Sequence, residues 1–212
     1  MKNKLIITLF FTFIIFLLFS QKMIDKKTTT KQMIENNLTT ATFGNGCFWC
    51  TEAIFQQLKG VKKVLPGYTG GAVKKPTYKE VCTGTTGHAE AIQITFDATI
   101  ISYRELLEVF FYTHNPTTLN QQGADIGTQY RSAIFYHDES QKKDAENIIK
   151  QLENDKVYDS KIVTEITPFG VYYEAEQYHQ NYYNNNKSQG YCRAVINPKL
   201  DKFIKKYGDK IK

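Results

Sequence analysis

The sequence predicts an α+β domain in which helices pack on a mostly antiparallel or mixed sheet. Three observations carry this. Stretches with period-two patterning interleave along the chain with stretches of helical period. The extended stretches mostly alternate apolar and polar residues instead of running as unbroken apolar segments, which marks antiparallel strands with one solvated face. No repeat and no break in composition divides residues 41–212, so one domain, with a C-terminal tail, is expected there.

Taken in order, Ala41-Thr42-Phe43 is a short extended run, and Gly44-Asn45-Gly46 turns it into a helix on which Ile54, Phe55 and Leu58 fall at helical spacing. Cys47 is thereby placed where a loop enters a helix. Val61 to Leu65 extends again, and the breakers Pro66-Gly67-Tyr68-Thr69-Gly70-Gly71 predict a loop. Pro76 to Cys82 is a short segment with Cys82 as a small buried hydrophobe. The clearest strand runs from His88 to Phe96. On it Glu90 shares parity with Ile92, Ile94 and Phe96, so the alternation turns a carboxylate to the apolar face.

Ser102 and Glu105 form a capping box ahead of the stripe Tyr103, Leu106, Leu107, Phe110 and Phe111. Residues 117–128 read as a polar loop, 129–136 as a strand, and Asp138 with Gln141 caps a helix carrying Ala145, Ile148, Ile149 and Leu152. A strand over Ile162–Ile166, a helix over Glu174–Tyr183 and a polar stretch up to Tyr191-Cys192 complete the chain, with Lys202, Lys205, Lys206, Lys210 and Lys212 decorating the tail.

The N-terminus stands apart. Lys2 and Lys4 precede an apolar run over residues 5–19, the pattern of a secretory signal. At 1.5 Å per residue such a run spans roughly 24 Å, short of the ~30 Å bilayer core. Leu18 ahead of Ser20 is a poor cleavage context, so residues 1–20 stay open between a cleaved signal and a membrane anchor. An exported, extracytoplasmic protein is expected either way, with residues 21–40 as a polar linker. The net charge of +6 is spread over scattered lysines, which argues for solubility and against a nucleic-acid site.

Chemistry concentrates in Gly46-Cys47-Phe48-Trp49-Cys50, which holds two of the 4 cysteines and the 1 tryptophan. A helix N-terminus favours a thiolate, and cysteines placed there have pKa values lowered to roughly 3.5–7.5. Phe48 and Trp49 beside the sulfur can wall an apolar pocket. Glu90, facing apolar surroundings, is expected to titrate high and so to serve as a proton donor. The competing readings are a structural Cys-x-x-Cys or half a zinc site, and a zinc site is disfavoured because no second pair stands at ligand spacing.

Gly46-Cys47-Phe48-Trp49, Gly67-Tyr68-Thr69-Gly70-Gly71, Pro76-Thr77-Tyr78, Gly87-His88-Ala89-Glu90 and Gly127-Thr128-Gln129-Tyr130-Arg131-Ser132 occur in this order. Together, over roughly residues 41–200, they resemble the A-type methionine sulfoxide reductases, the peptide-methionine (S)-S-oxide reductases. The resemblance implies a sandwich related to the ferredoxin-like arrangement and the reduction of methionine-(S)-sulfoxide, free and in proteins. It implies Cys47 as nucleophile, Glu90 as proton donor, Phe48 and Trp49 around the substrate methyl, Tyr78 and Tyr130 on the sulfoxide oxygen, and Asp125 lining the site.

A sulfenic acid on Cys47 would condense with a resolving thiol, for which Cys192 is favoured and Cys50 is the alternative. A thioredoxin-like protein or a dithiol would recycle the disulfide. No bound cofactor and no metal are expected, and a monomer is expected. His88 is read as ordering the loop of Glu90, and His114, His137 and His179 as structural or surface residues. A general thiol–disulfide oxidoreductase working through Cys47 and Cys50 is the alternative activity.

Overall fold

The computed structural model describes residues 37–212; the readings that fall on residues 1–36, the signal or anchor and most of the linker, lie outside it. Among the described residues no helix is long and apolar enough to cross a membrane.

The principal sheet has six strands in the order β7-β6-β1-β3-β2-β8. They are β1 (Leu38–Asn45), β2 (Val61–Thr69), β3 (Ala89–Asp97), β6 (Ser132–Tyr136), β7 (Glu165–Pro168) and β8 (Tyr172–Glu174), while β4 (Gln121–Gln122) and β5 (Asp125–Ile126) form a separate small ribbon. The β1–β6, β2–β3 and β2–β8 pairs are antiparallel and β6–β7 is parallel, so the sheet is mixed and the α+β class holds. The helices are α1 (Phe48–Phe55), α2 (Tyr78–Val81), α3 (Tyr103–Thr113), α4 (Glu139–Asn154), α5 (Tyr182–Asn185) and α6 (Asn197–Tyr207).

Strand β3 shows how the alternation builds the core. Glu90, Ile92, Ile94 and Phe96 point into the main apolar cluster with Phe43, Phe55, Phe110 and Phe203, whereas Ala89 and Ala91 turn to a smaller cluster with Ala133 and Phe135. The caps read from sequence are in place. Glu105 N–H donates to Ser102 Oγ at 3.2 Å and Ser102 N–H to Glu105 Oε2 at 2.9 Å, while Gln141 N–H donates to Asp138 Oδ1 at 2.8 Å.

Several boundaries differ from the sequence reading. β1 begins at Leu38, inside the stretch read as linker. Pro66–Thr69 is strand, not loop. Pro66 lacks an N–H to place in the ladder but its carbonyl accepts from Ala175 N–H at 2.9 Å, and a side chain at Gly67 would collide with the Tyr172 ring at 2.5 Å. The loop starts at Gly70, where φ is +81°. Cys82 follows the short α2 and is exposed, so it is not the buried hydrophobe expected of it.

β6 begins at Ser132, after a 3₁₀ turn over Thr128–Tyr130, and β7 lies three residues beyond its expected start. Residues 174–183 are not one helix: β8 ends at Glu174, a 3₁₀ turn covers Gln177–His179, and Asn181 at φ +53° breaks the path before α5. The C-terminal lysines do not decorate a loose tail. Leu200 and Phe203 are buried from α6, Lys59 N–H donates to Lys210 O at 2.8 Å, and Lys212 N–H to Gln57 O at 2.8 Å.

Candidate functional site

The site forms where α1 leaves β1. Gly46 sits at φ +92°, and a Cβ there would lie 2.6 Å from Gln122 Cγ, so only glycine makes this turn without displacing β4. Cys47 is the N-cap residue of α1 and is 7% exposed. The first amide of that helix, Phe48 N–H, donates to Glu90 Oε2 at 3.0 Å.

Burial raises the Cys47 thiol well above its usual range, and the neighbouring Cys50 thiol and the Glu90 carboxylate add to it. Burial thus works against the lowering that a helix N-terminus favours. Cys50 moves the other way. Its interaction with the Cys47 thiol outweighs burial and, with help from Lys199, brings it down to about 7.

Glu90 behaves as its parity on β3 predicts. It is 1% exposed, and burial pushes its carboxyl up to about 8, against the hydrogen bond from Phe48. Tyr78 and Tyr130 border it. Burial first, and then the Glu90 charge, push both phenols far up, so both remain hydroxyl donors. Tyr130 is set by the next residue: Arg131 Nε donates to Glu165 Oε2 at 2.9 Å, Nη1 to Thr128 O at 3.0 Å and Nη2 to Gly87 O at 3.1 Å. His88 ties the facing loop, accepting from Gly71 N–H at 3.1 Å and meeting Val73 O at 2.7 Å.

The aromatic wall consists of Phe48 and Trp49, with ring centroids 6.3 Å apart, extended by Tyr78, whose ring stacks on Phe48 at 6.3 Å. Tyr182 stacks flat on Trp49 at 3.7 Å. Asp125 is present through Tyr191, whose hydroxyl donates to Asp125 Oδ2 at 3.1 Å and lies 3.9 Å from Cys50 Sγ. Cys192 is fully buried, and burial and then Cys50 raise its thiol. Among the described residues no group of three or more His, Cys, Asp or Glu gathers to hold a metal ion.

Four residues around the site escaped the sequence reading. Glu52, on α1 one turn beyond Trp49, is buried and accepts from Asn181 N–H at 2.7 Å and Tyr182 N–H at 3.3 Å; burial raises it to about 7. Glu176 accepts from Tyr78 N–H and from Tyr68 Oη, each at 2.8 Å. His179 accepts from Trp49 Nε1 at 3.0 Å, and Tyr191 joins Asp125 to Cys50. The spacing of Glu52 three residues after Trp49 was a usable signal. Glu176 and His179 carried none, since they lie in irregular backbone.

An acidic carboxyl, two phenols and a thiol gathered against an aromatic wall define a thiol oxidoreductase site, and comparison with known proteins narrows the class. The family model described as peptide methionine sulfoxide reductase matches residues 39–211. The peptide methionine sulfoxide reductase MsrA of Saccharolobus solfataricus is 58% identical over 82% of this chain and 98% of its own, and that of Deinococcus radiodurans 56% over 81% and 84%. Among solved structures, reduced Mxr1 of Saccharomyces cerevisiae superposes with a TM-score of 0.67 at 34% identity, covering 74% of this chain and 90% of its own. The chain belongs to the peptide methionine sulfoxide reductase family. It is an oxidoreductase that reduces methionine sulfoxide.

Proposed function

We propose that the protein reduces methionine-(S)-sulfoxide, free and in polypeptides, with Cys47 as nucleophile and Glu90 as acid. The observation that carries this is a carboxyl buried 3.0 Å from the N-terminal amide of the cysteine's helix and raised to about 8, so that it still holds its proton at neutral pH. A sulfoxide sulfur is a poor electrophile until its oxygen is protonated or hydrogen-bonded. Glu90 supplies the proton, and Tyr78 and Tyr130 donate to the oxygen as charge develops on it. Phe48 and Trp49 take the methyl group, and Asp125 lines the polar side.

The Cys47 proton leaves as its sulfur attacks and is taken up by the Glu90 carboxylate that protonation of the sulfoxide oxygen has just produced, so no net proton is lost. The oxygen ends on Cys47 as sulfenic acid and methionine departs. A second thiol then attacks the Cys47 sulfur, forms a disulfide and releases water. Cys50 is the better resolving thiol in this geometry. Residues three apart on a helix bring their Cβ atoms to about 5–6 Å, within the range a small adjustment closes to a disulfide. Cys192, favoured on sequence grounds, is as buried as Cys50 but interacts with Cys50 and not with Cys47, so it is the runner-up. Dithiol exchange with a thioredoxin-like donor returns both thiols.

Residues 1–20, read as a signal or anchor, support work outside the cytoplasm, where the donor must also be extracytoplasmic. The test is turnover of separate S and R epimers of a methionine sulfoxide peptide with dithiothreitol, for wild type and Cys47→Ser. Reduction of S alone by wild type, and of neither by the variant, is the expected result. Residual activity in Cys47→Ser would remove the nucleophile assignment.

A further inference from the structure

The two halves of the site sit on different elements, Trp49 on α1 and Tyr78 on α2. Between them lies His179, 1% exposed, with its ring 4.4 Å from Tyr78, 5.0 Å from Phe48 and 5.5 Å from Trp49. Trp49 Nε1 is a donor only, so His179 Nδ1, 3.0 Å away, must be the acceptor, and the imidazole proton is fixed on Nε2. Nε2 makes no hydrogen bond to another group of the protein, and Glu176 Oε2 lies 3.9 Å from it. Glu176 in turn accepts from the backbone N–H of Tyr78 at 2.8 Å.

We propose that neutral His179 is a positioning residue that sets the Trp49 indole, and with it the methyl-binding wall, against the Tyr78 ring on the other side of the site. This rests on the reading of Trp49 as part of the substrate pocket. The ring presents its Nδ1 lone pair to the indole N–H. The tautomer matters. In the imidazolium both ring nitrogens carry protons, the indole N–H then faces another donor, and Trp49 loses its anchor. The charged and titratable groups facing the ring are Glu176 and Tyr178 on its own segment and Tyr78 from α2. Burial lowers the His179 pKa below its usual value, with Glu176 opposing, so the anchored form prevails at neutral pH.

Trp49 is the 1 tryptophan of the chain, so its fluorescence reports this contact directly. The experiment measures KM and kcat for a methionine sulfoxide peptide in wild type, Trp49→Phe, His179→Leu and the double variant. It also follows Trp49 emission between pH 4 and 8 in wild type, His179→Leu and His179→Asn. His179→Leu is expected to raise KM about tenfold, the scale of one lost hydrogen bond, and to leave alkylation of Cys47 by iodoacetamide unchanged. It should add nothing in the Trp49→Phe background. His179→Asn, whose amide oxygen can replace Nδ1, should recover most of the affinity.

Wild-type emission should fall on acidification with a midpoint below 6.5, in step with rising KM, and this transition should be absent from both variants. Additive effects in the double variant, a loss confined to kcat, or an emission transition that survives in His179→Leu would overturn the inference. If Trp49→Phe itself leaves KM unchanged, the methyl-pocket reading fails and takes the inference with it. The wild-type titration stands even if His179→Leu does not fold.

Discussion

Replacing Glu90 by Gln should weaken the enzyme and strengthen the fold, by an amount that depends on pH. In the unfolded chain this carboxyl ionises near 4.5, while in the folded protein it holds its proton up to about 8. Between these values the native state carries a proton the unfolded state has lost. The carboxyl's contribution is therefore complete below pH 4.5 and drains away as pH rises, by 1.36 kcal/mol per unit, until it levels off near pH 8. The gap of about 3.5 units makes the whole effect of the order of 5 kcal/mol. Glutamine fills the same space, can still accept from Phe48 N–H, and does not ionise. Urea unfolding of wild type and Glu90→Gln at pH 4.5, 6, 7 and 8.5 should show the variant gaining on wild type at each step. Its kcat should fall by about 10²–10⁴, the usual worth of a positioned acid. A stability difference that does not change with pH would refute the argument, because a solvated Glu90 could not be the proton donor.

Other consequences can be checked alongside. In single-turnover reduction without added dithiol, Cys50→Ser should accumulate Cys47 sulfenic acid, trapped by dimedone, whereas Cys192→Ser should still form the disulfide. Glu52→Ala leaves the amides of Asn181 and Tyr182 without their acceptor and should cost about 1–3 kcal/mol in urea unfolding, with Glu52→Gln much milder. Gly46→Ala forces a side chain onto φ +92° and against Gln122, and should lose about 1–3 kcal/mol with a parallel drop in kcat as Cys47 shifts.

Much of this molecule can be read from its residues. The period of two on β3 turned Glu90 inward beside three apolar neighbours, and the capping box at Ser102 and the N-cap at Asp138 located the starts of α3 and α4 to within a residue. What misled were residues whose local preference was overruled by tertiary pairing. Pro66 and Gly67 look like a loop, yet β8 supplies a donor for one carbonyl and a ring that requires the other's bare Cα. Residues 174–183 carry enough helix formers to suggest a helix, but Glu174 is claimed by Gly67 and Asn181 takes a left-handed turn. Leu200, Phe203 and Tyr207 did carry a helical spacing; the surrounding lysines masked it.

The closure of α1 by distant chain has a bearing on biosynthesis. The turn after α1 is fastened to Lys210 and Lys212, and Trp49 is covered by Tyr182 and Tyr191, all more than 130 residues downstream. During translation the nucleophile and its aromatic wall emerge well before the segment that buries them. A nascent or C-terminally clipped chain therefore presents Cys47 as an ordinary solvent-exposed thiol, open to alkylation and stray disulfides. The same long-range closure places assembly of the pocket among the last events of folding. Acquisition of activity then coincides with protection of the sulfur that provides it.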